Sequence, residues 1–262
     1  MPWMESLCSL LFEVSNEDRL SILLQLKGGG MTVTGLSREI DLTTQEVSRH
    51  LSRLSETGLT EKSPEGLHGL TPYGELTLRQ IRCLEFTSRH KNYFSDHTLA
   101  RIPMKFVARL GELSGSIFLD DIMVVVHNVE KLLREAEEVI LNINTPYIAS
   151  TFPLIRGTFE RGVEGRFIHG KDQAIPEAMM DDRNRVFDDD LVLQAKRSGV
   201  YKERLSEEAD LVLYMSEKEV AILAFPLENG RYDFWGFTSS SDEARRWCRD
   251  LFQYYWEKAE RI

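Results

Sequence analysis

Cysteine is scarce. Cys8, Cys83 and Cys248 lie far apart and no Cys-x-x-Cys occurs, which excludes a zinc ribbon and a disulfide framework. Each has apolar neighbours of helical character, so all three read as buried structural thiols rather than redox sensors. Long apolar runs are missing too. The stretch around Leu7 to Phe12 is too short to span a bilayer and lacks the basic start and cleavage site of a signal peptide. A cytoplasmic chain with no membrane partner is expected. Nor is there an excess of positive charge: 32 Lys and Arg face 42 Asp and Glu, for a net charge of −10. Residues 1–95 hold 10 basic and 12 acidic residues, the remainder 22 and 30. This excludes binding to nucleic acid through overall charge, but not through a small directed surface. The 262 residues, 42% hydrophobic and 28% charged, can bury one large core or two modest ones.

Ser15 and Asp18 resemble a capping box, and Leu20, Leu23, Leu24 and Leu26 then form the apolar stripe of a helix. Gly28-Gly29-Gly30 stops it. A short helix is expected from about Val33 to Ile40, a tight turn at Asp41-Leu42, and a further helix from Thr43, with Glu46 completing a capping box, to Glu56. Gly58 ends that helix. Leu59 to Ser63 and Leu67 to Leu70 then read as two strands around the turn Pro64-Glu65-Gly66. This order is the plan of a winged helix-turn-helix.

The helix from Thr43 to Glu56 carries the information. Val47, Leu51 and Leu54 form a narrow inward seam, and the remaining face is hydroxyl, amide and guanidinium. A solvated surface helix favours Glu, Lys and Ala, whereas a helix lying in a DNA major groove needs short polar donors near its N-terminus and Arg for bases or phosphates. Thr43, Thr44, Gln45, Ser48 and Arg49 are therefore expected in the groove, with His50, Arg53, and Lys62 and His68 of the wing on phosphates. His50 reads equally well as a helix-packing residue. Residues 42–66 hold three basic residues, Arg49, Arg53 and Lys62, against four acidic ones, Glu46, Glu56, Glu61 and Glu65. Binding by one copy should be feeble, so a homodimer on an inverted repeat of double-stranded DNA is expected. The helical pattern from Tyr73 to about Phe94 suits either dimerisation or packing on the first helix.

The segment Thr43-Thr44-Gln45-Glu46-Val47-Ser48-Arg49-His50-Leu51 through Glu56-Thr57-Gly58-Leu59 resembles the recognition helix and strand entry of ArsR- and MarR-like repressors. Leu70-Thr71-Pro72-Tyr73-Gly74 is similar to the phrase after the wing in many archaeal members. The resemblance implies a DNA-binding transcriptional regulator.

The second half alternates strand and helix signals. Strands are expected at Ser116–Leu119, Val139–Ile143, Val163–His169, Leu211–Met215, Val220–Phe225 and Tyr232–Phe237, with Asn229-Gly230 as a turn. Helices are expected at Val124–Glu138, from a Thr145-Pro146 cap to about Arg161, and from Ser240 with Glu243 to the end of the chain. The fold class expected is an α+β winged helix-turn-helix domain (1–90), a linker (91–110) and an α/β domain with a mixed sheet (111–262). The ending, Asp233-Phe234-Trp235-Gly236-Phe237 through Trp247-Cys248-Arg249-Asp250-Leu251-Phe252-Gln253-Tyr254-Tyr255, resembles the filament-type (FilR-like) methanogenesis regulators of archaea. That resemblance implies a C-terminal effector domain similar to the sensory domains of TrmB-like regulators, with a phospholipase D-like core.

A small-molecule effector of unknown identity is expected at the carboxyl ends of the strands. Asn142, Asn144 and Thr145 would hold an anion at a helix start, with Arg166, His169 and Lys171 nearby and Tyr147 and Trp235 as walls. His169-Gly170-Lys171 is similar to half of a phospholipase D His-x-Lys motif, but Pro176 stands where the family has Asp. No second copy occurs. A phosphodiesterase joining two copies in a dimer, and a protein–protein adaptor, are the alternatives; no catalytic residue, cofactor or metal is expected. Asp188-Asp189-Asp190, with Asp181 and Asp182 upstream, lacks the spacing of a calcium loop and reads as a solvated loop or helix start.

Overall fold

A computed structural model describes residues 1–144, 148–170, 176–187 and 189–261. The chain divides into two compact units, Met1–Leu84 and Glu85–Ile262.

The first unit contains α1 (Pro2–Val14), α2 (Glu17–Leu26), α3 (Val33–Glu39), α4 (Thr44–Glu56), β1 (Thr60–Lys62), β2 (His68–Leu70) and most of α5 (Pro72–Arg89). The expected capping box at Ser15 is absent: Ser15 closes α1 in a helical conformation, and Asn16, which is extended, accepts from the Arg19 N–H to start α2. An N-cap needs that extended backbone. The box at Thr43 and Glu46 is present in both directions. Between α3 and α4 the chain turns through Asp41 at φ 54°, a left-handed conformation that Asp tolerates, and the Ser37 hydroxyl donates to the Leu42 carbonyl at 2.6 Å. Ile22, Leu23 and Leu26 of α2, Leu36 of α3, Val47, Leu51 and Leu54 of α4, and Leu59 and Leu78 make one buried cluster. Each such side chain contributes roughly 1.5–3 kcal/mol on burial, so the three helices are fixed by α4's inward seam while its other face stays free.

The second unit adds α6 (Lys91–Asp96), α7 (Met104–Val107), β3 (Ile117–Leu119), α8 (Ile122–Glu135), β4 (Val139–Ile143), α9 (Phe152–Glu160), β5 (Glu164–His169), α10 (Glu177–Val186), α11 (Asp189–Ser198), β6 (Tyr201–Leu205), β7 (Val212–Ser216), β8 (Val220–Ala224), β9 (Gly236–Ser239), α12 (Asp242–Lys258) and β10 (Glu260–Arg261). Its strands form a mixed sheet in the order β10-β6-β5-β4-β7-β8-β9-β3, parallel only across β4/β5 and β5/β6. Alternation sorts the side chains. Leu141, Ile143, Leu213 and Met215 meet Trp247, Cys248, Leu251 and Phe252 of α12 on one face; Ile140, Val212 and Tyr214 meet Val129, Leu132 and Leu133 of α8 on the other.

Several expectations need correction. The segment 91–110 is no linker: Tyr93, Ile102, Phe106 and Leu110 lie in the same core cluster as α12, because its aromatic side chains find apolar partners that local periodicity does not reveal. The helix expected from Thr145 starts later. Thr145 lies outside the described residues, Ile148 is extended, and regular α-helix begins at Phe152 with Pro153 in its first turn. Strand β6 was not anticipated, since Lys202, Glu203 and Arg204 give it no apolar alternation; its charges are matched by Glu164, Lys196 and the ring of Trp256. The strand expected at 232–237 is β9, shifted to Gly236–Ser239, and Ser241 rather than Ser240 caps α12 by accepting from the Ala244 N–H. Asp181, Asp182 and Asp190 are on helices α10 and α11; Asp188 lies outside the described residues. Of the three thiols only Cys248 is buried, Cys83 is half-buried and Cys8 is exposed on α1. No helix among the described residues is long and apolar enough to cross a membrane.

Candidate nucleic-acid interface

On α4 the burial pattern separates two faces. Val47, Leu51 and Leu54 are buried, whereas Thr44, Gln45, Ser48 and Arg49, together with Thr43 at the cap, are exposed. Glu46 is turned back onto the cap: its carboxylate accepts from the Thr43 N–H at 2.9 Å and from the Thr43 hydroxyl at 2.7 Å. These bonds hold the Glu46 carboxyl below its ordinary range. The one acid in the first turn is thereby occupied, and the outward surface at the N-terminus of α4 is hydroxyl, amide and guanidinium.

Two of the residues expected on phosphates are placed otherwise. His50 is buried, with Nε2 3.5 Å from Asp18 of α2. Burial lowers its pKa, against the opposing pull of Asp18. Arg53 is a bidentate partner of Glu13 on α1, with Nη2 2.7 Å from Oε1 and Nε 3.2 Å from Oε2. Glu13 is buried and also meets Arg19, 3.0 Å away, while the Phe12 ring lies under both guanidinium groups at 5.7 and 5.4 Å. The hydrogen bonds from Arg53 hold the Glu13 carboxyl below the usual range against the effect of burial, and the charge of Arg19 adds to them. The seam looks apolar at i, i+4 and i+7, but its edge is closed by charge pairs with α1 and α2, which no local pattern encodes.

On the wing, Lys62 is exposed and stands opposite His68 across the β1/β2 pair. His68 is half-buried, its backbone is bridged to Met31, and burial followed by the charge of Lys62 lowers its pKa. Arg38 on α3 is exposed beside the turn into α4. It is absent from the residues expected on DNA, and its signal in the sequence is a cation in the last turn of the helix that precedes the outward one.

Among the described residues of the second unit, the expected effector residues Asn142, Asn144, Arg166, His169 and Trp235 do not form one lined site. Asn144 (φ 47°) ties strand ends together: its Nδ2 donates to the carbonyls of Ala209 and Leu211, the latter at 3.2 Å, and its Oδ1 accepts from the Gly170 N–H at 2.9 Å. Asn142 is buried within β4. Arg166 is paired with Glu164 on its own strand at 2.8 Å, and Glu164 also receives Lys202. His169 ends β5, on the same strand face as Phe167, and lies close enough to Glu203 to act on its charge. Trp235, 45% exposed, precedes β9, which is three strands from β4. Thr145, Tyr147 and Lys171 lie outside the described residues.

Comparison with known proteins bears on the first unit. A family model described as a helix-turn-helix domain matches residues 14–62. The first unit is a winged helix-turn-helix domain. Among solved structures, TrmBL2, an archaeal chromatin protein whose structure is described as showing a novel mode of DNA binding, is 17% identical over 94% of each chain, with a TM-score of 0.43. Nuc from Salmonella typhimurium, a phospholipase D family member, is 10% identical over 51% of this chain and 88% of its own, with a TM-score of 0.35. An O-methyltransferase from neocarzinostatin biosynthesis, NcsB1, is 11% identical over 76% of this chain and 64% of its own, at 0.24. No curated protein matches the chain.

Proposed function

We propose that this protein is a transcriptional regulator of the cytoplasm that binds an inverted repeat of double-stranded DNA as a homodimer, with its DNA affinity set by a small molecule bound in the second unit. The observation that carries the reading is the outward face of α4. Thr43, Thr44, Gln45, Ser48 and Arg49 are exposed on a helix held rigidly by its seam and capping box, within a domain that matches the helix-turn-helix family. Donors and acceptors of this kind, near the N-terminus of such a helix, pair with base edges in the major groove. Lys62 and Arg38 flank them as phosphate ligands; His50 and Arg53 serve the domain's own packing instead.

Dimerisation is supported by what lies exposed on the helices flanking the domain. Trp3, Met4, Leu7 and Leu11 of α1 and Tyr73, Leu76 and Leu84 of α5 are solvent-exposed, a density of apolar side chains that a lone domain has no use for. The likeness of the 233–255 segment to FilR-like regulators supports an effector role for the second unit, whose ligand would shift DNA affinity by binding two dimer geometries unequally.

The test is selection of duplexes from a random pool, followed by anisotropy titration of the preferred sequence. Arg49→Ala should cost about 1–3 kcal/mol on that sequence and little on random DNA. Equal binding of selected and random duplexes by parent and variant would overturn the reading.

A further inference from the structure

Where the parallel strands end, the segment following α6, the approach to β7 and the hairpin after β8 enclose a polar cleft of about 650 Å³ in the second unit. Its walls include Thr98, Arg101, Asp210, Glu228, Asn229 and Gly230. Asp210 is set in place from behind: its Oδ1 accepts from the Tyr232 hydroxyl at 2.8 Å. Its Oδ2 lies 3.6 Å from Nε of Arg101, beyond the roughly 2.7–2.9 Å of a charge-assisted hydrogen bond. The Arg101 side chain remains 68% exposed although its backbone is anchored, with the carbonyl accepting from the Tyr255 hydroxyl at 3.3 Å. The rim is fastened as well. Thr98 N–H donates to Pro226 O at 2.9 Å, Glu228 N–H to Asp96 O at 3.1 Å and Leu227 N–H to Arg231 O at 2.8 Å. A rigid cleft therefore presents a loosely joined cation and anion, with a second carboxylate on exposed Glu228.

We infer that this cleft binds a small zwitterion of net positive charge, of the basic α-amino acid class. Its carboxylate lies on Arg101, its α-ammonium on Oδ2 of Asp210 and its distal cation toward Glu228. An ion pair at 3.6 Å is an oriented dipole, and a molecule whose opposite charges are two bonds apart lies against it in the reverse sense, completing the charge-assisted hydrogen bonds that the pair itself does not make. Among the described lining residues, two carboxylates stand against one guanidinium, a balance that disfavours phosphates and nucleotides. Among the described residues, those lining the cleft are polar or aliphatic. The cleft lies at the strand ends where an effector is expected, but Asn144 and Arg166 are not among its lining residues and their side chains are already engaged. The role of this ligand as the effector rests on the function proposed above; its binding does not.

The full chain is titrated by calorimetry with L-lysine and L-arginine, and with L-norleucine, L-glutamate and inorganic phosphate for comparison. A basic amino acid should bind, norleucine about tenfold or more weakly, and glutamate and phosphate not at all. Arg101→Gln should weaken lysine binding about tenfold while leaving the melting temperature unchanged, since the guanidinium is mostly in solvent. Glu228→Gln should abolish the preference for lysine over norleucine and leave norleucine unaltered. Silence of lysine and arginine at about 10 mM, tighter binding of phosphate, or variants that bind lysine as the parent does would each overturn the site. Anisotropy on the selected duplex, with and without lysine, separates the two readings. Ligand binding that leaves DNA affinity unchanged removes the effector role and keeps the site; failure of ligand binding with specific DNA recognition intact removes the site and keeps the regulator.

Discussion

Arg53 of α4 forks onto Glu13 of α1 with hydrogen bonds of 2.7 and 3.2 Å, so a guanidinium on the outward-facing helix is committed to the protein's own first helix. Glu13 is buried, with Arg19 as its second cation, and the three residues lock α1 and α2 against the edge of α4. Under the function proposed above, Arg53 is a positioning residue for the groove-facing side chains. Glu13→Gln and Arg53→Gln should each weaken specific DNA binding, and the double variant should bind no worse than either alone, as expected of partners in one interaction. The slope of log affinity against log salt decides between roles: removing one phosphate-binding cation from a duplex complex changes it by about 0.9, and removing a positioning residue leaves it unchanged. Stability should fall by about 1–3 kcal/mol for Glu13→Gln, toward the lower figure because the Arg53 side chain is 43% exposed. A slope reduced by about 1.8 in Arg53→Gln, one cation lost from each protomer of the dimer, with Glu13→Gln behaving as the parent, would return Arg53 to the phosphate backbone.

His50 sets a pH dependence. Burial makes its folded-state imidazole a weaker base, with Asp18 offsetting only part of the shift, and Nδ1 has no hydrogen-bond partner. The unfolded chain, with an ordinary His pKa of about 6.5, then takes up protons that the folded chain refuses. Stability is full above that pH and declines as the pH falls through and below it. His68 shifts in the same direction. Thermal unfolding of the parent between pH 7.5 and 5.5 should show a falling midpoint, and His50→Leu should flatten that fall. An identical slope in the variant would mean that His50 is protonated at no cost in the folded state.

How far the sequence disclosed this molecule depends on how local each signal was. The capping box of Thr43 and Glu46, the seam of Val47, Leu51 and Leu54 and the turn at Gly58 are written within a few residues, and the helix-turn-helix could be read from them. The buried strand at Val139–Ile143 was readable for the same reason, since a β-branched run reports its own burial. Arg53 and His50 could not be assigned, because their partners, Glu13 and Asp18, are 40 and 32 positions away in sequence. Asn144 reads as a ligand donor for a comparable reason: its amide is taken up by Ala209, Leu211 and Gly170, none near it in the chain. The cleft at Arg101 was invisible because its charges arrive from segments brought together only by the sheet.

Gly74 offers a stability test with an unusual sign. In an exposed helix interior, replacing Gly by Ala stabilises by about 1 kcal/mol. Here the Thr71 hydroxyl accepts from the Gly74 N–H at 3.0 Å and donates to the Gly58 carbonyl at 2.5 Å, drawing the first turn of α5 onto the strand entry. A Cβ at Gly74 would run into the backbone carbonyl oxygen of Leu59, which cannot step aside without breaking the bond it accepts from Thr71 N–H. Gly74→Ala should therefore destabilise by about 1–3 kcal/mol, measured by urea unfolding. Stabilisation instead would show that α5 is free to move away from β1.

The exposed apolar side chains of α1 give the sharpest test of assembly. Met4, Leu7 and Leu11 recur at helical spacing, each more than 40% exposed, while Leu10 and Val14 of the same helix pack on the core cluster. The helix is thus seated by one side and bare on the other, and it carries no Lys or Arg that would draw it to an anionic surface. Leu7→Glu with Leu11→Glu leaves the seated side untouched, so the domain should stay folded by circular dichroism. Sedimentation should report a dimer for the parent and a monomer for the variant. With half as many cations on phosphates, the salt slope on DNA should halve as well. A variant that remains dimeric would place the interface elsewhere, and a monomeric parent with full affinity for a single half-site would end the two-fold reading altogether.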